Sequence, residues 1–235
     1  MKRTRFAMMI ATVLILLLIV PINISIAEGK IMIDENTRKA ADELRSCGYD
    51  IPENIQIEAS AWRNDMLNQI GDDPFFRAQL TRDEQMRFKL LWDWGAGSYD
   101  YETGKWTPTS DKVYAFDAEV YDIDHMYELF LLGVQAIVPE ITITDITEDL
   151  SQMDDSLEGT RSVSFLCNGH PYQFEFDSLG DWINGEILPL MNQVLEKEHC
   201  PYRLCEIQDQ YDQMVILIYD TAEKAAFMKQ YIDVH

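Results

Sequence analysis

Hydrophobic positions along the chain fall into three regimes. Residues 6–20 read FAMMIATVLILLLIV, an apolar run broken only by Thr12. From about 34 to 97 the apolar residues recur every three or four positions, the period of a helix with one buried face. From 113 onward, stretches that alternate in twos, the period of a half-buried strand, are interleaved with further helical stripes.

The first regime is flanked by Lys2, Arg3 and Arg5, and no acid precedes Glu28. Pro21, Asn23 and Ser25 then dilute the apolar run. This is the order of a secretory signal: a basic start, an apolar middle and a small-residue end. Ser25 and Ala27 stand three and one residues before a cut, so cleavage is expected after Ala27. The alternative is an uncleaved anchor. Residues 6–27 number 22, enough to cross a hydrocarbon core of roughly 30 Å. Pro21 favours cleavage because it breaks the helix ahead of an extended end. The expected location is therefore secreted, or held on the outer face of the cytoplasmic membrane through residues 6–27.

In the second regime Ala40, Leu44 and Cys47 share a helical face, and Gly48 follows as a stop. Ile55, Ala59, Trp62, Met66 and Ile70 form a second stripe, bracketed by Pro52 and by Gly71-Asp72-Asp73-Pro74. Thr81 and Glu84 have the spacing of a capping box. They introduce a helix carrying Met86, Leu90, Leu91 and Trp94 that ends at Gly95 or Gly97.

In the third regime, residues 99–106 read as a hairpin turning at Thr103-Gly104. A strand is expected over 113–120, then a helix capped by Asp122, with Ile123, Met126, Tyr127, Phe130, Val134 and Ile137 inward and Pro139 as its end. A Thr- and Ile-rich strand covers 140–149. Residues 161–177 alternate around Asn168-Gly169, whose tolerance of positive φ predicts a tight antiparallel hairpin. A helix follows from Asp181 to Lys197, kinked at Pro189. Strands at 203–207 and 214–219 come next; the second, MVILIY, is apolar on both faces and belongs in the middle of a sheet. Asp220 to Glu223 cap a last helix to Ile232. The order predicts an α+β fold, a mostly antiparallel sheet with helices packed on one face, preceded by an N-terminal helical region. The expected division is 1–27 leader, 28–97 helical region and 98–235 α+β domain.

Charge narrows the partners. The chain carries 41 acids against 19 Lys and Arg, a formal charge of −22 that becomes −25 once the leader is removed. Such a surface repels nucleic acid and anionic envelope polymers. It suits solubility outside the cell and a basic partner.

Candidate chemistry is sparse. There is no G-x-S-x-G, H-E-x-x-H, S-x-x-K or phosphate-cradling glycine loop, and no cofactor is expected. Asp117, Glu119, Asp122 and Asp124 gather before a helix start and could meet a cation, but acids at a helix N-terminus also serve the dipole. Asp177 and Asp181 flank a Gly180 turn and are the first carboxylate pair to consider for acid–base hydrolysis. Cys167 and His170 sit near one another across the Asn-Gly turn, with the thiol inward. Of the four cysteines, Cys200 and Cys205 are close enough for a short disulfide in an oxidising compartment. Trp92, Trp94, Tyr99, Tyr101 and Trp106 form the densest aromatic stretch, which either packs the interior or stacks on a protein or glycan partner. The leading expectation is a non-enzymatic exported binding module for a protein or cell-envelope component. The alternatives are a carboxylate-dependent hydrolase of envelope polymers and an inhibitor- or immunity-like protein for a basic partner.

Overall fold

The structure, a computed structural model, describes residues 32–100, 102–103, 105–154, 156–208 and 213–232. The leader with its Ala27 cleavage position, Tyr101 and Gly104 lie outside the described residues. Two compact units divide between Leu90 and Leu91. Helices and antiparallel strands are both present, as expected for an α+β chain. Among the described residues, no helix is long and apolar enough to cross a membrane.

The first unit is helical: α1 (Glu35–Ser46), α2 (Glu53–Gln69), α3 (Pro74–Leu80) and the start of α4 (Asp83–Gly95). Asp34 caps α1 by accepting the Thr37 amide at 2.9 Å, which satisfies one of the free N–H groups of the first turn. Ala40 and Leu44 are buried along α1, and Ile55, Ala59, Trp62 and Met66 along α2, matching the apolar stripes. Gly48 has φ +92°, the conformation its stop role requires. The cap of α4 differs from expectation. Thr81 donates its hydroxyl back to the Arg77 carbonyl at 2.9 Å, closing α3, and α4 begins after it.

Among its described residues the second unit holds three antiparallel sheets rather than one. They are the ribbon β1 (Ser98–Asp100) with β2 (Lys105–Thr107), the sheet β3-β8-β7, and the sheet β4-β5-β6. Their strands are β3 (Val113–Asp117), β4 (Ile143–Met153), β5 (Gly159–Cys167), β6 (His170–Asp177), β7 (Arg203–Gln208) and β8 (Met214–Asp220). The helices are α5 (Met126–Ile137), α6 (Ile187–Lys197) and α7 (Ala222–Ile232). β8 is central in its sheet, as an apolar stretch with two buried faces must be. One core joins both three-stranded sheets to α5 and α6, with Tyr114 and Leu217 from one sheet, Phe165 and Phe176 from the other, and Phe130 and Met191 from the helices. Ile216 and Ile218 on the opposite face of β8 stand outside that core, as do Met228 and Ile232 of α7, which packs on β7 and β8. Helices therefore cover both faces of the β3-β8-β7 sheet.

The Asn168-Gly169 turn forms with φ of +51° and +84°, fitting the expected hairpin. Two other expectations fail. Asp122 makes no cap bond to the helix. The amides of Tyr127 and Glu128 are instead taken by Glu148 Oε1 of β4 at 2.8 and 2.9 Å. The helix expected from Asp181 starts only at Ile187. Pro189 then falls in the first turn, where its missing N–H has no intrahelical partner to lose, so no kink is required.

Candidate functional site

Residues 178–186 are neither helix nor regular strand. They form a strap alongside residues 118–120, just past the end of β3, held by backbone bonds. Val120 N donates to Asp181 O at 2.7 Å, and Ile183 N to Ala118 O at 2.8 Å. Gly180 turns the strap with φ +73°, and Trp182 bridges both Leu179 and Glu119. Asn184 fastens its far end. Its side-chain amide donates to Asp177 O at 3.1 Å and its backbone N–H to the Tyr127 hydroxyl at 3.1 Å.

Between the strap, the sheet and the starts of α5 and α6 lies a half-enclosed apolar cavity of about 160 Å³. Phe116 and Val215, direct partners across β3 and β8, form its floor. Phe130, Ile187 and Leu188 wall it from the helices, and Trp182 stands at its edge. One lining residue is charged: Glu206 of β7, which pairs with Leu217 on this same face. Trp182 is 36% exposed and Leu179 54%, while Tyr121, next to the strap's contact at Val120, is fully exposed.

Beneath the strap is a buried polar network. Arg161 and Glu148 have side chains 2% and 5% exposed and meet at 2.9 Å. Arg161 also donates to Ile123 O at 2.7 Å, and its guanidinium lies over the Tyr127 ring, the same tyrosine that holds Asn184. Burial pushes the Glu148 carboxyl above its ordinary range, against the pull of the two helix amides and Arg161. Among the described residues, Arg161 Nη2 has no hydrogen-bond partner.

At its other end α6 is fixed by Glu198. The carboxylate accepts from Tyr172 at 2.6 Å, His170 at 2.9 Å and Asn168 at 3.2 Å. Burial pushes its pKa up, but these three donors outweigh it and hold the group below the usual carboxylate range.

The candidates read from sequence fall as follows. Asp177 is exposed at the end of β6 and Asp181 is half-buried in the strap; each contributes its carbonyl to the strap's bonding, and neither lines the cavity. Asp117 accepts the Glu119 amide at 2.9 Å, and burial pushes its carboxyl up. Glu119 accepts from Gln213 at 2.6 Å, Asp122 binds the His125 ring at 3.1 Å, and Asp124 is exposed. Among the described residues, no group of three or more His, Cys, Asp or Glu side chains is arranged to hold a metal ion.

The aromatic stretch turns largely inward. Trp94 is buried, and its carbonyl takes the Thr109 hydroxyl at 2.7 Å. Trp106 donates to Ala96 O at 2.9 Å, meets Tyr114 edge-on and pairs with Tyr99 across the ribbon. Trp92 and Tyr99 are half-buried.

The four cysteines stand as free thiols in this structure. Cys205 lies in extended β7 with its thiol toward the carbonyls of Arg203 and Asp220, while Cys200 is buried where its amide closes α6 on Leu195 O. Burial pushes the Cys167 thiol up to about 12, and His170 is engaged by Glu198, so the two make no thiolate–imidazolium pair.

Sequence reasoning missed Trp182, Glu206 and the Glu148–Arg161 pair. A signal was present for two of them. Glu206 shares a strand face with Leu204, and Arg161 one with Val163, Phe165 and Cys167, so each is a charge at an inward position.

No protein-family model matches this chain, and neither does any curated protein or solved structure.

Proposed function

We propose that this chain is an exported extracytoplasmic binding module for a protein or cell-envelope component, and that the Trp182-edged cavity is where it binds. The observation that carries this is an apolar cavity open to the surface beside exposed Leu179, Trp182 and Tyr121. Large apolar side chains left in water next to a preformed apolar hollow are the usual preparation for a partner. The aromatic stretch at 92–106 takes second place to it, because Trp94 is buried and Trp92 and Trp106 are half-buried. The hydrolase reading gains no support from the cavity, whose lining holds one carboxylate, Glu206.

Export is tested by sequencing the N-terminus of the mature product. A start at Glu28 supports secretion, an intact Met1 in the membrane fraction means an anchored ectodomain, and recovery in the cytoplasm sinks the location. Binding is tested by photo-crosslinking from position 182 on living cells. A discrete adduct, lost when Gly185→Leu fills the cavity, is the expected result. Adducts unchanged by Gly185→Leu would remove the cavity from the proposal.

A further inference from the structure

We infer that the cavity takes one phenyl-sized side chain from a basic segment of a partner protein. This rests on the binding reading above and names the partner's chemistry. Size comes first. The hollow of about 160 Å³ is close to the roughly 150 Å³ of an engineered apolar cavity that admits benzene. Apart from Gly185 and Glu206 its lining side chains are aromatic or aliphatic, so it rewards an apolar ring.

Charge comes second. The two chain segments that meet at the strap, residues 113–122 and 178–188, contain five acids (Asp117, Glu119, Asp122, Asp181 and Glu186) and no Lys or Arg. Glu206 adds a carboxylate to the lining itself. Beside a carboxylate in the lining, and on strap segments that carry no basic residue, cations flanking the ring are favoured over anions. Extent is the third point. Leu179 and Tyr121 lie outside the cavity lining and are exposed, so the apolar surface is wider than a small molecule that only filled the hollow would cover. A protein segment covers both.

The test uses the protein as the cell exports it, followed by the Trp182 indole resonance, assigned by its loss in Trp182→Phe. The probes are N-acetylated tripeptide amides Lys-Phe-Lys, Gln-Phe-Gln, Glu-Phe-Glu and Lys-Ala-Lys, with tetra-N-acetylchitotetraose as the glycan arm. Lys-Phe-Lys is expected to bind most tightly, Gln-Phe-Gln less so, and Glu-Phe-Glu roughly tenfold more weakly than Lys-Phe-Lys at low salt, a difference that shrinks as salt screens it. Lys-Ala-Lys should give little shift.

Glu206→Gln should narrow the gap between Lys- and Glu-flanked peptides. Gly185→Leu should abolish binding. Gly185 lines the hollow and a Cβ there meets nothing within 4 Å, so leucine is the variant with room to occupy it, and an unchanged melting curve checks the fold. Equal binding of the three Phe peptides overturns the basic partner while the binding reading stands. Binding by the chito-oligosaccharide in place of the peptides does the same. No shift at Trp182 with any probe removes both.

Discussion

Residues 92–106 and 178–186 both carry tryptophan, and they use it in opposite ways. The first stretch has three tryptophans in fifteen residues, and the second has one in nine. Yet Trp94 and Trp106 face the interior, while Trp182 stands at the edge of an open hollow. The difference lies in what the backbone is bonded to. Trp106 sits in a ribbon whose register places it opposite Tyr99 and over Tyr114, so its ring closes a packed surface. Trp182 sits in a strap whose N–H and C=O groups are bonded to Ala118 and Val120, just past β3, which fixes the backbone and leaves the ring beside a gap. Aromatic density here goes with partial to full burial, and a single aromatic on an irregular but well-bonded segment stands beside the cavity.

The strongest way to break the contrast is to remove what lies under the strap. Arg161→Ala leaves Glu148 buried without its cation and should destabilise residues 91–235 by about 3–5 kcal/mol. Equilibrium urea unfolding measures this. The double variant Arg161→Met, Glu148→Gln should recover part of the loss, because no charge is then left buried alone. If Arg161→Ala unfolds like the parent, the network does not support this unit.

Next in size is Trp106→Ala. Truncating a tryptophan in a core costs about 3–5 kcal/mol, and the half-burial of Trp106 places it at about 3. The same unfolding experiment reads it. Gly97 sharpens the point, since a Cβ there would come within 2.4 Å of the Trp106 ring and Gly97 also has φ +72°. Gly97→Ala should therefore destabilise as well, with no change in binding beyond that caused by unfolding.

The strap itself is tested by Tyr127→Phe. This takes the acceptor from the Asn184 amide and should cost about 1–3 kcal/mol. Hydrogen exchange should quicken at Asn184 and its neighbours more than in the ribbon at 98–107. Equal protection in both regions would mean that the tyrosine hydroxyl does not pin the strap.

Much of this was legible because it was local. Asn168-Gly169 reads as a turn from two residues, and MVILIY reads as a central strand from six. The order of strands and helices after residue 112 also follows from period alone. The start of α6 was not legible. Asp181 has the look of a helix cap, but Val120 and Ala118, more than 60 residues earlier, hold its segment extended. Asp122 failed as a cap for the same reason: Glu148, on a strand 26 residues later, takes the amides first. The cavity was invisible because its walls come from β3, α5, α6, β7 and β8 and meet only in the fold. What the sequence did show, unread, were charges at inward positions of alternating strands, Arg161 and Glu206.

Acid tests the other anchor of α6. The folded Glu198 carboxyl lies below its ordinary range, so its contribution is complete above the unfolded pKa and is lost as pH falls through the folded one. Tyr172, His170 and Asn168 face it directly, and Lys197 lies over the Tyr172 ring. Unfolding midpoints taken from neutral pH down through the carboxylate range should fall for the parent and fall less for Glu198→Gln. Parallel curves would show that Glu198 is not held as described.

The smallest effect on stability is expected where the effect on function is largest. Trp182→Ala removes a ring at the cavity edge that is a third exposed, and its backbone bonds through Leu179 and Glu119 do not need the side chain. The cost in unfolding free energy should be within about 1 kcal/mol, well below that of Trp106→Ala. Binding of the Lys-Phe-Lys peptide, read by calorimetry, should nonetheless fall by at least about tenfold, as for a central aromatic anchor. Placed side by side, the two variants form a crossed pair: Trp106→Ala lowers stability and spares affinity in the folded fraction, while Trp182→Ala spares stability and lowers affinity. If Trp182→Ala cost as much stability as Trp106→Ala, the strap would be a second packed brace like the ribbon, and the division of labour between the two segments would be gone.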